Sequence, residues 1–415
     1  MEIVNRCGPW VTDKDFFNRT VEVRRLTRLL DDGNHVLVVA PRRVGKTSLV
    51  RETFRRMEEE QGKTTFFVDV QDCKSPTDML VKLALVARKD DSVWRRIRSR
   101  VTGVVDRVDA IKVDGIAEIK LRESILGDWK EKGHRILQEL RSCDLPVALC
   151  FDELPIMVSR MLSMRGVSRE ESVAEVDTFL SWLRSETLSE SKKLRVVLCG
   201  SIGIEPILAR HGLTHTINHL RAFHLEPWSR ETAEECLGAL AERYNMEWHP
   251  ESLDRMLSYL TPYIPHHVQM FFGLQLDDCE YRQDMAPTRD DIDRVYETKM
   301  LGTRGHAELV TYEERLRRVL GEETLLVELA LAILTEAAVR GSLSAREADL
   351  VGEELRLSDP ADARRDVMGI LEHDGYLERQ PSGDVWRFSV PLLRDWWKRR
   401  FGAGYQPLSR TRGTP

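Results

Sequence analysis

The run Val36-Leu37-Val38-Val39-Ala40-Pro41-Arg42-Arg43-Val44-Gly45-Lys46-Thr47-Ser48-Leu49-Val50 constrains the fold of this chain more than any other stretch. It reads as a buried strand, a tight loop and a helix start. The loop closes on Gly-Lys-Thr, the pattern of a phosphate-binding P-loop. Backbone N–H groups at a helix N-terminus point at anionic phosphates, and the helix dipole favours the negative charge. Gly45 lets the backbone approach closely. Lys46 is expected to reach the β- and γ-phosphates, and the Thr47 hydroxyl to sit on Mg²⁺. The pattern asks for glycine at its first position, where this chain has Ala40.

Four further apolar runs read as strands: Thr64–Gln71, Val147–Leu154, Arg195–Ser201 and Phe223–Trp228, after a first at His35–Ala40. Helical patterns at Ser48–Gln61, Trp129–Ser142, Val173–Glu190 and Ala233–Asn245 separate them. Strands alternating with helices imply a parallel sheet covered on both faces, and near-continuous apolar strands fit that burial. Between the second and third strands the chain is long. Thr77–Arg88 and Ser92–Val108 read as helices, and the alternation over Ile111–Ile125 as a hairpin or edge strand. This reads as an insertion over about 74–146.

Val147-Ala148-Leu149-Cys150-Phe151-Asp152-Glu153-Leu154 is an apolar strand ending in two carboxylates. At a strand end the two point in different directions, which separates a metal-holding role for Asp152 from a water-polarising role for Glu153. An Asp-Glu pair after a strand is also a common surface feature. The preceding P-loop tips the reading to function. Val196-Val197-Leu198-Cys199-Gly200-Ser201 ends another strand in a small polar residue, either a γ-phosphate sensor or a helix cap.

With these residues in place, the chain resembles the archaeal-type P-loop ATPases. These belong to the MNS clade of STAND-like ATPases and are close to origin-recognition-type AAA+ proteins. Phe16-Phe17-Asn18-Arg19 with Glu22 is similar to the family's adenine-side motif, and Pro41 to Leu49 to its P-loop, where alanine at the first position is a familiar variant. Phe67-Val68-Asp69-Val70, Phe151-Asp152-Glu153-Leu154, Gly200-Ser201 and the closing segment Leu392 to Phe401 resemble its second strand, acidic strand, sensor and C-terminal signature. The resemblance implies a strand order of five-one-four-three-two, a helical lid and a C-terminal winged helix. It also implies an arginine just before the fifth strand, a place held by Arg221. Tyr263-Ile264-Pro265 stands where such lids carry a Gly-x-Pro turn, without the glycine. ATP is preferred to GTP through the resemblance, and no Asn-Lys-x-Asp motif occurs.

The expected fold is therefore α/β. A P-loop NTPase core spans 1–228, a helical lid 229–309, a winged-helix domain 310–401 and a flexible tail 402–415. The last domain rests on helices at Glu323–Arg340, after the capping box Ser344-Ala345-Arg346-Glu347, and after Asp359-Pro360. A hairpin turns at Pro381-Ser382-Gly383-Asp384. Its Trp396-Trp397 pair reads as core. Residues 310–415 hold 16 Lys/Arg and 18 Asp/Glu, which argues against a DNA reader with a basic footprint. The basic helix Trp94-Arg95-Arg96-Ile97-Arg98-Ser99-Arg100 reads first as a solvated face.

Net charge is −6, and the seven cysteines form no C-x-x-C pair. No apolar run approaches the ~20 residues of a membrane span, and the N-terminal sequence lacks the pattern of a secretory signal. A cytoplasmic protein is expected, with Cys150 and Cys199 as small core residues. His211, His215 and His219, four apart, read as loop histidines rather than a metal set. The expected function is an ATP-binding and ATP-hydrolysing switch acting on a protein partner or effector, with a homo-oligomer open. Lys46, Glu153, Ser201 and Arg221 are its catalytic candidates. Phe17, Arg19, Pro41, Arg42, Arg43, Val44, Gly45, Lys46, Thr47 and Ser48 are its nucleotide contacts, and Thr47 with Asp152 holds Mg²⁺. The alternatives are a DNA-associated ATPase of origin-recognition or transposition type, and a nucleotide-binding scaffold with little turnover.

Overall fold

The computed structural model describes residues 3–102, 114–164, 166–189, 193–320, 324–381 and 383–407. The chain divides into two compact units. One comprises Arg19–Val39 and Lys46–His224; the other comprises Ala40–Gly45 with the described residues of 1–18 and 225–415.

The first unit is built on a parallel sheet. In chain order it runs α1 (Thr20–Asp31), β1 (Val36–Val39), α2 (Lys46–Gln61), β2 (Thr64–Asp69), α3 (Pro76–Val86), α4 (Asp91–Thr102), α5 (Asp114–Ile125) and α6 (Trp129–Arg141). Then follow β3 (Val147–Asp152), α7 (Leu154–Leu162), α8 (Arg169–Thr187), β4 (Leu194–Leu198), α9 (Ile204–Ala209) and β5 (Arg221–His224). The strand order is β2-β3-β4-β1-β5, the expected order read from the other edge. All pairings are parallel: Val36 faces Val197 and Arg221, and Asp69 faces Asp152. Phe66, Phe151 and Phe223 are fully buried, each worth roughly 2–3 kcal/mol of transfer free energy. These strands read as continuous apolar runs because both faces are buried, as in β3, where every residue is buried.

One expectation fails. Residues 114–125 form helix α5, not a hairpin or edge strand; 111–113 lie outside the described residues. Leu121 and Ile125, four apart, are buried while Ile119 is 57% exposed. The apolar spacing therefore serves a helical period rather than an alternating one. The histidines at 211, 215 and 219 share no helix, since α9 ends at Ala209. His219 Nε2 lies 2.7 Å from Thr187 Oγ1, and His215 3.5 Å from Asp177.

The second unit continues with α10 (Arg230–Tyr244), α11 (Pro250–Tyr259), α12 (Pro265–Arg282), α13 (Arg289–Val295) and α14 (Thr303–Leu320). It ends with α15 (Thr324–Arg340), β6 (Leu343–Ser344), α16 (Ala345–Glu354), α17 (Pro360–His373), β7 (Leu377–Arg379), β8 (Val385–Phe388) and α18 (Pro391–Phe401). The capping box at Ser344 forms, its hydroxyl accepting from the Glu347 N–H. The antiparallel sheet has order β6-β8-β7, so the expected hairpin gains a third, two-residue strand. Trp396 and Trp397 are buried with ring centroids 5.6 Å apart. All seven cysteines are free. Among the described residues no helix is long and apolar enough to cross a membrane.

Helix α6 depends on one glycine. A Cβ at Gly133 would lie 2.6 Å from the Trp182 ring, which packs against Phe179 and Trp129. Gly133→Ala is expected to destabilise the protein by about 1–3 kcal/mol of overpacking, despite a better helix former. A thermal melt checks this as a fall in Tm of a few degrees.

Candidate active site

Parallel pairing brings the carboxyl ends of β3 and β4 side by side, and the sequence puts polar residues there. Asp152, the last residue of β3, is 6% exposed. Its Oδ2 accepts from the Thr47 hydroxyl at 2.9 Å, near the start of α2. Its Oδ1 accepts from the Cys199 thiol at 3.0 Å and from the Glu153 N–H at 3.0 Å. Burial pushes the Asp152 carboxyl above its ordinary range; the Cys199 and Thr47 hydrogen bonds oppose the shift, and the charge of Glu153 adds to it. Lys46 opens α2 and is 8% exposed.

Glu153 has a left-handed backbone, φ +61°, at the start of α7. Its side chain takes partners different from those of Asp152. Its Oε2 accepts from the Ser201 N–H at 2.9 Å and from the Ser201 hydroxyl at 2.6 Å. Gly200 makes this approach possible, since a Cβ there would sit 2.5 Å from Pro155 Cδ. Thr47, Asp152, Glu153 and Ser201 thus form one connected set. Arg221 is the first residue of β5 and is exposed. Arg19 caps α1 with φ +65° and donates to Glu22 at 2.7 Å.

The hydroxyl of Thr47 and the carboxylate of Asp152 are hard oxygen donors within hydrogen-bond reach of each other. One carboxylate and one hydroxyl suit Mg²⁺, which keeps its remaining positions for water and substrate phosphate. The described residues contain no cluster of three or more His, Cys, Asp or Glu placed to hold a metal by themselves.

The remaining candidates, apart from Ser48, lie in the other unit. Phe17 meets the Trp228 ring edge-on at 5.7 Å, and the Asn18 amide donates to Thr232 at 3.1 Å. In the loop Ala40–Gly45, Arg43 has φ +67° and Gly45 φ +100°. Val44 between them is buried. The Arg42 guanidinium lies 4.8 Å from the Tyr312 ring centroid. Burial, with Arg315 adding to it, lowers Arg42 to about 10, so it stays charged at neutral pH. Arg43 pairs with Glu308 at 2.7 Å. Ser48 lies on α2.

Sequence reasoning did not find Cys199, Tyr312 or Glu308 as neighbours of these residues. Cys199 could have been placed from its position two residues before Ser201 on the same run. Glu308 stands 265 residues from Arg43 on an ordinary charged helix, and no local pattern marks it.

The sequence matches no model of a protein family, and no curated protein matches it. Solved structures resemble it along nearly its whole length. A Walker-type ATPase of Pyrococcus abyssi matches with a TM-score of 0.62 at 14% identity, over 95% of this chain and 99% of that one. The ORC2 protein of Aeropyrum pernix, solved in ADPNP–ADP complexes, gives 0.51 at 13% identity, over 94% of this chain and 98% of that one. At such identities the likeness establishes the fold alone, an α/β fold built on a five-stranded parallel sheet, and function must come from the site.

The raised Asp152 carboxyl carries a stability consequence. The unfolded chain ionises this group in the ordinary carboxylate range, and the folded protein only at higher pH. Its contribution to stability is thus present at low pH and lost as pH rises through the folded value. Asp152→Asn is expected to raise Tm at neutral pH, with the gain vanishing as pH falls below the ordinary carboxylate range. Thermal melts across pH 3–8 check this.

Proposed function

We propose that the protein is an ATP-binding and ATP-hydrolysing molecular switch. The observation that carries this reading is the connected set Thr47–Asp152 and Glu153–Ser201 at the carboxyl edge of the parallel sheet, next in sequence to a P-loop. The backbone of Pro41 to Gly45 and the first turn of α2, with Ser48, would cradle the phosphates. Lys46 would hold β- and γ-oxygens, and Phe17 and Arg19 would serve the adenine side. Thr47 and Asp152 would hold Mg²⁺. When bound, the ion neutralises phosphate charge and draws electron density from the γ-phosphorus.

Glu153 would take a proton from water as its oxygen attacks the γ-phosphorus. The bond to the bridging oxygen breaks, leaving ADP and inorganic phosphate. Lys46 and Arg221 would stabilise the charge that develops on the transferring oxygens. Ser201 has a single hydroxyl proton. It can be given to Glu153, as here, or to a γ-phosphate oxygen, so sensing the phosphate and releasing the base would be one event.

The residues beyond the sheet are proposed as a helical lid (229–309), a winged helix (310–401) and a tail (402–415), after a core of 1–228. On the STAND-like reading they carry nucleotide state to a protein partner or effector, or to self-assembly, in the cytoplasm. The DNA-associated alternative has less support. Arg364 and Arg365 on α17 pair with Asp349 and Asp362 at 2.7 Å each, and on α4 Arg96 pairs with Glu139 at 3.3 Å.

Purified Lys46→Ala is expected to lose ATP binding. Glu153→Gln is expected to keep Mg²⁺-dependent binding while turnover falls by about 10²-fold or more, the usual weight of a general base. Equilibrium binding of a fluorescent ATP analogue and a phosphate-release assay check both. Unchanged turnover in Lys46→Ala would refute the reading, and unchanged turnover in Glu153→Gln would remove Glu153 from it.

A further inference from the structure

Three successive residues of the phosphate loop are gripped by elements far along the chain. Pro41 closes on Gly375, where an added Cβ would lie 3.3 Å from Pro41 Cβ. Arg42 lies over Tyr312, whose backbone carbonyl accepts from the Tyr376 hydroxyl at 2.8 Å. Arg43 Nη2 lies 2.7 Å from Glu308 Oε2, and His266 Nε2, at the start of α12, stands 3.3 Å from the same oxygen. Burial pushes His266 below its usual range, against its hydrogen bond to Glu308, and both His266 and Arg43 hold the Glu308 carboxyl down.

The backbone under this grip is unusual. Arg43 occupies the left-handed region at φ +67°, which side-chain-bearing residues rarely adopt. Gly45, two residues on, is at φ +100°. Alternation of hand along successive residues turns their N–H groups toward one concave face, an anion-binding nest. Glycine reaches positive φ without strain; Arg43 must be held there.

We propose that Glu308 is a positioning residue for the phosphate loop: by pairing with Arg43 it holds that residue in the left-handed conformation on which the anion-binding concavity depends. The inference rests on the nucleotide reading of the loop and names what sets its shape. Glu308 touches no phosphate in this role; it acts through the backbone of Arg43. Arg43 is 19% exposed and Glu308 38%. Solvent therefore screens the pair in part, and its effect on binding is modest.

The test is a cycle of full-length variants, Glu308→Gln, Arg43→Gly and the double change, each titrated with a fluorescent ATP analogue and Mg²⁺ and each melted. Glu308→Gln is expected to bind about fivefold more weakly, close to 1 kcal/mol, with Tm near wild type. Whatever level Arg43→Gly reaches, adding Glu308→Gln to it is expected to lower binding no further, because glycine needs no holding. The inference is overturned if Glu308→Gln binds as tightly as wild type or more tightly. The same holds if Glu308→Gln costs as much in the Arg43→Gly background, which would mean it acts through His266 or another neighbour. A wild-type protein that bound no nucleotide would overturn the nucleotide reading together with the inference. A wild type that binds beside an unaffected Glu308→Gln would overturn the inference alone.

Discussion

The parallel pairing of β3 with β4 is the constraint from which the site follows. Parallel strands end on the same edge, so whatever the chain places after Phe151 and after Leu198 must meet there. The hydrogen bond from Cys199 N–H to the Phe151 carbonyl at 3.1 Å extends that pairing one residue past β4. It sets the Cys199 thiol against Asp152 and, two residues on, Ser201 against Glu153. A slip of one residue would turn these side chains to the other face of the sheet. The large apolar residues of the strands resist such a slip, and the chemistry inherits its precision from them.

Two carboxylates adjacent in sequence receive different treatment. Asp152 is nearly buried, and its oxygens are occupied by three donors: the Thr47 hydroxyl, the Cys199 thiol and the Glu153 amide. Glu153 leaves the strand through a left-handed turn and takes both donors of Ser201. A buried, raised carboxyl costs stability as it ionises, and a non-glycine residue at positive φ costs about 1–3 kcal/mol. Both costs fall at consecutive residues, at the end of one strand. Such costs tend to gather at sites selected for binding or chemistry rather than for stability.

In the other unit, the loop Ala40–Gly45 meets residues far along the chain, Arg43 with Glu308 265 positions on. Its arginines are held by an aromatic face and a carboxylate on α14. The loop is thus set both by its own glycine and by distant partners. Changes along α14 therefore have a physical route to its backbone.

The P-loop, the acidic strand end and the alternation of strand and helix are written in local patterns: burial on both faces makes a strand apolar throughout, and glycine marks the loop. The five strands, their order and the closing three-helix-and-hairpin region could accordingly be read from the sequence, with boundaries off by a few residues. Residues 114–125 depart from the expected hairpin because Ile116, Ile119 and Leu121, spaced three and two apart, fit both periods, and only the burial of Leu121 and Ile125 against the exposure of Ile119 separates the two. The direct contacts Thr47–Asp152, Cys199–Asp152, Glu153–Ser201 and Arg43–Glu308 have no such local signature, since they join residues 47 to 265 positions apart. By itself the sequence determined which chemical groups the chain carries and on which kind of element each rides, because those depend on near neighbours. The tertiary structure alone decided which groups meet, because sheet register and long-range packing bring distant residues within hydrogen-bond reach.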